Sequence, residues 1–568
     1  VKRHAPDLAV TGLVALVVLG PLLIGSGFWI VGDMVFVPDQ QWRPAWLGLD
    51  GSLPRAVPMD ALVSVATAVL PGALVQKLLL LGGFLAGGLG IARVVGDRAW
   101  FARAAAITLF CWNPWVYERL LIGQWAILLG YFVLPWVAVA ARRLRRDATD
   151  WSPAAVALVL SAICSPSSGL MAVGVLAVLG LGRDRRAWWR LAVMALVANL
   201  TWLVPAVTAD SARITTEGVF EGFAARAESG AGTLASLLSL GGIWKTSIVP
   251  GEREAVLLVL LSCALSVVAL RALWGSGSGR ARWLVLGGLS LALAFLPVIA
   301  PDLMEAAGSA VPQLALLRDS HRFLAPLGLV LAVGMAQTAT DLRARITPET
   351  TALWSSVALA VIAPVLLLPS LAWGAAGELE TSSYPQEWSD VAALVGDDEA
   401  TVVLPWGSAY RSFDWNHRRA VLDPAPRFLR GTVLIDDTVR IEVSEGSGSE
   451  TVIVPPEDPR VVAVGTALAE EDPAAALRAL GVRWVLAEQG MVAITLPSGG
   501  EVVHEGDRLT LVDLAAAGPV ADDPSVVRPD ITVRRRIFVI SGHGLAILLL
   551  LVGATWILRS GSNERHTA

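Results

Sequence analysis

The chain predicts a polytopic α-helical membrane protein of about 12 transmembrane helices, with a C-terminal extracytoplasmic α/β domain. Three observations predict it. Hydrophobic residues make up 55% of the 568 residues and charged residues 16%, against roughly 25% charged in a soluble domain. Apolar runs of membrane-crossing length follow one another as far as residue 374, and a polar, acidic stretch then fills 375–535 before a final apolar run. The expected division is a membrane core over 1–374, an outer domain over 375–535, and a last helix with its tail over 536–568.

The first run, from about Leu8 to Phe28, follows Val1-Lys2-Arg3-His4. No small-x-small cleavage site follows in a polar context, so it reads as a retained signal anchor. Further candidate spans lie near 72–92, 101–116, 120–140, 190–208, 254–273, 282–300, 323–340, 352–374 and 537–558. The run from Trp151 to Gly182 is broken by Ser165-Pro166-Ser167-Ser168 and reads as two short helices or a re-entrant hairpin. Arginines flank it on both sides (Arg142-Arg143-Leu144-Arg145-Arg146 and Arg183-Asp184-Arg185-Arg186), so it returns to the side it left.

Arginine placement sets the orientation, because cytoplasmic loops are enriched in Lys and Arg. With the N-terminus inside, the short basic loops hold Lys2/Arg3, Arg93/Arg98/Arg103, Arg271/Arg280/Arg282, Arg343/Arg345 and Arg559/Arg565. The longer acidic stretches, 29–60, 209–253, 301–321 and 375–535, then fall outside. This predicts a multi-pass plasma-membrane protein with both termini cytoplasmic. In the outer domain, Thr401–Trp406, Val482–Leu486 and Arg508–Leu514 read as strands, and Pro473–Leu480 as a helix stopped by Gly481. Gly446-Ser447-Gly448-Ser449 and Pro455-Pro456 mark turns.

A net charge of −5 gives no sign of a nucleic-acid partner. Cys111, Cys164 and Cys263 sit inside apolar runs without metal spacing. No glycine-rich loop ending in Lys-Ser/Thr, no His-Glu-x-x-His and no Gly-x-Ser-x-Gly occurs. No metal site is expected, and a divalent cation is left open as a cofactor. The spans carry almost no charge at mid-depth; Lys77 lies near an outer end, where it can snorkel. Ion-coupled transporters place charges at the midplane, whereas here they ring the outer face.

Three groups on that rim carry candidate chemistry. Asp33 falls just past the first span, at the membrane–water boundary, where a partly desolvated carboxylate suits a general base; a solvated loop acid is the alternative. Asp39, after a proline in a polar turn, reads as structural. Trp115-Val116-Tyr117-Glu118-Arg119 reads as a tight turn between two spans, either functional or an interfacial anchor. In Leu317-Arg318-Asp319-Ser320-His321-Arg322-Phe323, two arginines and a histidine at a helix start could clamp a phosphate.

Gly32-Asp33 after the first span, Asn113-Pro114-Trp115, and the Leu317–Phe323 stretch together resemble the GT-C class of membrane glycosyltransferases. The last stretch is similar to an Arg-Asn-x-His-Lys-Phe segment of actinobacterial α-(1→3)-arabinofuranosyltransferases. Ala479-Leu480-Gly481-Val482-Arg483-Trp484-Val485 with its closing strand resembles the outer domains of related polytopic proteins. The chain departs from the family after Asp33, with Met-Val-Phe where a Thr-Lys pair and a second acid are usual.

The resemblance implies transfer of a sugar, arabinofuranose among the candidates, from a polyprenyl-phosphate donor to a cell-envelope glycan or glycolipid at the outer leaflet. Asp33 would be the base, with Asp39 and Glu118 as alternates. Arg318, His321, Arg322 and Arg119 would hold the donor phosphate. A non-catalytic scaffold of envelope glycan assembly and a flippase for a lipid-linked glycan are the other two readings.

Overall fold

The structure, a computed structural model, describes residues 5–209, 218–277, 279–345, 351–445, 448–456, 458–521 and 531–566. Lys2, Arg3, Gly446 and Ser447, invoked above, lie outside the described residues.

Among those residues, eight helices are long and apolar enough to cross a membrane, or nine if Ser355–Leu367 and Pro369–Ala376, bent by 71°, form one span. The count therefore departs from a dozen. The expected 101–116 span is a 12-residue helix, Trp100–Cys111, about 18 Å long against a hydrocarbon core of about 30 Å. Asn113 ends that run and starts the next, because its side chain accepts from Val116 N and Pro114 fills the first helical position. Trp115–Arg119 consequently lies on a helix, Pro114–Leu121, and not in a turn. The following span begins at Trp125 and ends at Arg146.

The broken 151–182 run is two helices, Ser152–Cys164 and Pro166–Gly180, meeting at Ser165, whose side chain caps the second. Its tip packs on Gly130, where an added Cβ would meet Ser168 and Cys164, while Gly180 returns to Ala141. Those two levels of the Trp125–Arg146 helix are about 16 Å apart, so the pair forms a hairpin whose open end lies at the arginine-rich end. On Gly72–Val95, the glycines Gly83, Gly87 and Gly90 let Leu129, Phe132 and Trp136 approach the backbone closely. The Ser320–Ala344 span is 89% buried and sits centrally, whereas Val256–Gly275, 22% buried, turns most of its surface outward, where lipid would lie.

The polar stretch builds a five-stranded sheet in the order Thr432–Leu434, Ala400–Leu404, Trp484–Glu488, Leu509–Asp513, Glu501–Glu505. The first three are parallel and the last two antiparallel. Alternation along each strand sends Val402 and Val485 to one face, against the Pro459–Leu468 and Pro473–Ala479 helices, and Val403 and Leu486 to the other. That second face belongs to the same hydrophobic cluster as Val18, Phe84 and Leu331 of the helices. A hairpin, Val439–Glu445 with Gly448–Val454, places Gly448 and Ser449 in a strand.

Candidate active site

Beyond the first helix, Ala5–Ile24, the chain is held at several points. Lys77 Nζ donates to the Gly25 carbonyl at 2.6 Å. The Gln76 amide accepts from Trp29 N–H at 3.1 Å and donates to the Trp29 carbonyl at 2.8 Å. Gly32 has φ +52°, and a Cβ there would strike the Ile122 carbonyl. Gly123, at φ +79°, presses equally close to Val31 and Asp33. Only glycine permits two turns to meet backbone to backbone in this way. Asp33 N–H donates to the Ile122 carbonyl at 3.0 Å, and Gly32 exchanges bonds with Ala420 and Leu422 of the outer domain, each 2.8 Å. Asp33 is thus fixed between the membrane helices and the domain above them.

Its half-buried carboxylate accepts a 2.7 Å hydrogen bond from the Tyr410 hydroxyl. Lys245 lies within electrostatic reach of Asp33, and Arg55 and Arg322 within reach of Tyr410. The negative charge of Asp33, helped by burial, holds the Tyr410 hydroxyl well above the usual phenol range. Burial pulls the Lys245 ammonium below its usual range, partly offset by Asp33. A carboxylate with Lys245 in electrostatic reach can take a proton from a neutral hydroxyl while an anionic group sits beside it.

Arg322 reaches this place from a buried chain of charge. Its Nε lies 2.7 Å from Asp319, which also lies 3.4 Å from Arg119 Nη1. Burial pushes the Asp319 carboxyl up, but Arg322 and Arg119 outweigh it and bring it down to about 2. Arg119 contacts His321 Nδ1 and the Gln124 side chain, and its guanidinium lies 5.3 Å from the Trp115 ring centre. His321 Nε2 faces the Gly241 carbonyl at 3.1 Å and Glu118 at 3.4 Å. Glu118 in turn meets Glu228, which Arg253 clasps at 2.5 Å. Burial, then the Glu228 charge, raises Glu118 well above the usual carboxylate range.

The expected residues therefore separate. Asp33 and Arg322 (27% exposed) both act on Tyr410. His321, Arg119 and Glu118 have no exposed surface. Arg318 stacks instead on Phe223, 5.2 Å from the ring centre. Asp39 is exposed and bonds Gln41 at 3.1 Å. Among the described residues, no group of three or more His, Cys, Asp or Glu side chains could hold a metal ion.

No family model and no curated protein matches the chain. Among solved structures, arabinofuranosyltransferase AftD from Mycobacteria aligns at a TM-score of 0.55 and 14% identity over 90% of this chain. The chain has the fold of part of that enzyme. It spans 40% of the enzyme's length. A mutant form of AftD aligns similarly, at a TM-score of 0.54 and 15% identity over 92% of this chain and 42% of that one. Such a likeness establishes architecture, and the chemistry has to be argued from side chains.

Tyr410, Lys245, Arg55, Glu228 and Arg253 were not singled out from sequence. Tyr410 and Asp437 had a usable signal, since each follows the C-terminal end of a parallel strand, where such sheets place binding loops. Asp437 pairs with Arg55 at 2.6 Å.

Proposed function

We propose that this protein is a membrane glycosyltransferase that moves a sugar from a polyprenyl-phosphate donor to a hydroxyl of a cell-envelope glycan or glycolipid at the outer leaflet. The observation that carries the reading is the Asp33–Tyr410 hydrogen bond, with Lys245 in electrostatic reach of the carboxylate and Arg322 of the phenol. In the reaction, the acceptor oxygen bonds the anomeric carbon while its proton passes to Asp33. The bond from that carbon to the phosphate oxygen breaks with inversion, and polyprenyl phosphate departs with the electron pair. Lys245 and Arg322 neutralise the charge growing on that phosphate. Asp319 and Arg119 orient Arg322. The AftD likeness makes arabinofuranose the first donor sugar to test, with the termini and Arg98, Arg142 and Arg282 on the cytoplasmic side.

Asp33→Asn in purified full-length protein should lower transfer by about 10²- to 10⁴-fold with an unchanged melting temperature. Unchanged transfer would leave the scaffold or flippase readings.

A further inference from the structure

The mouth of the helix bundle away from Asp33 holds a second polar cavity. The Trp125–Arg146 helix starts beside the Gly32–Asp33 turn, and its Arg142 and Arg145 come about 26–30 Å further along. There Arg98, Arg142, Arg145, Arg280 and Arg282 line a cavity of about 590 Å³, with no Asp or Glu among its described lining residues. Asp341 is the acid within reach, acting on Arg98. Three of these arginines also cap helix ends. Arg98 donates to the Val95 carbonyl and Arg282 to the Val178 carbonyl, each at 2.9 Å, and Arg142 donates to Val94. A guanidinium has five N–H groups, so capping leaves donors over.

Besides Ser276 and Gln337, the rest of the lining carries apolar side chains that include Leu273 and Trp283. These belong to Val256–Gly275 and Arg280–Ile299, helices only 22% and 33% buried, whose outward faces lie where lipid would be. A concentrated positive charge next to a lipid-facing wall matches a phosphate carried on an acyl-chain lipid. We propose that this cavity binds the headgroup phosphate of an anionic phospholipid, separately from the Asp33 site.

The test uses full-length protein in detergent with phosphatidylglycerol, phosphatidylcholine or inorganic phosphate, followed by native mass spectrometry and titration calorimetry. Phosphatidylglycerol should bind in preference to phosphatidylcholine. Arg145→Gln and Arg280→Gln, which spare the three capping arginines, should each weaken it about fivefold. Arg143→Gln, an exposed arginine of the same helix outside the lining, should leave binding unchanged. The site is overturned if the two lining variants bind like the parent protein, or if Arg143→Gln loses as much as they do. Inorganic phosphate binding as tightly as the lipid would overturn the lipid assignment.

Discussion

At the scale of single residues, the candidate site is built around one hydrogen bond. Tyr410 gives its proton to Asp33 at 2.7 Å, so the phenol resists ionisation. A phenol raised above its unfolded value contributes stability that is full below the ordinary phenol range and is lost as pH rises through the raised value. Burial also raises Tyr117 and Tyr384, so ultraviolet titration of the four tyrosines should show a Tyr410 step, assigned by its loss in Tyr410→Phe, that ionises later than an ordinary phenol. Asp33→Asn should bring that step down; an unchanged curve would mean the two groups do not interact. Asp33 was legible because a glycine and an acid directly follow an apolar run. Arg322 was legible because arginine is out of place on an outer rim. The pairing of Tyr410 with Asp33 was not, the two being 377 residues apart, and Lys245 stands in a long loop with no pattern around it. His321 misled because a basic residue at a helix start looks exposed. Arg119 and the Gly241 carbonyl meet both of its ring nitrogens in the interior, so its burial is satisfied.

At the scale of elements, the short Pro114–Leu121 helix matters most. It delivers Glu118 and Arg119 to one side while its end, Ile122–Gly123, grips the Asp33 turn. Because Glu118 sits raised beside Glu228, its protonated form contributes stability present below the ordinary carboxylate range and lost as pH rises through the raised value. Glu118→Gln is neutral at every pH, so melting temperature should fall less steeply than in the parent protein as pH rises above the ordinary carboxylate range. Equal slopes would remove Glu118 from the account. Hydropathy located the long spans because 20 apolar residues leave few alternatives. It drew one continuous span over 101–116 where Asn113 caps and restarts the helix, so the stretch is carried by two short helices, Trp100–Cys111 and Pro114–Leu121. The Ser165-Pro166 break was visible because serine and proline both act locally on the backbone.

At the scale of the whole molecule, the outer domain is tied down at many points. Arg427–Asp60 and Arg460–Asp50 bridge to the first outer loop at 2.9 Å each. Tyr384 donates to the Phe36 carbonyl at 3.0 Å and packs among Trp388, Trp415 and Phe428. One hydrophobic cluster thus runs from helices to sheet, which predicts a single unfolding unit. Trp388→Ala, at a site with no exposed surface, should cost about 3–5 kcal/mol and lower the transitions of domain and helices together, followed by proteolysis and circular dichroism. Separate transitions would refute the shared core. Three strands and one helix of the domain were legible from local pattern, whereas its docking depends on side chains far apart in the sequence. The distance between Asp33 and Tyr410 along the chain also has a temporal meaning. At about 5–20 residues per second, a ribosome makes the tyrosine roughly 20–75 s after the aspartate, when most of the helices have already left the exit tunnel. Each newly made molecule therefore passes through an immature period with its carboxylate uncovered, and ripens only when the late-made domain has folded onto the helices.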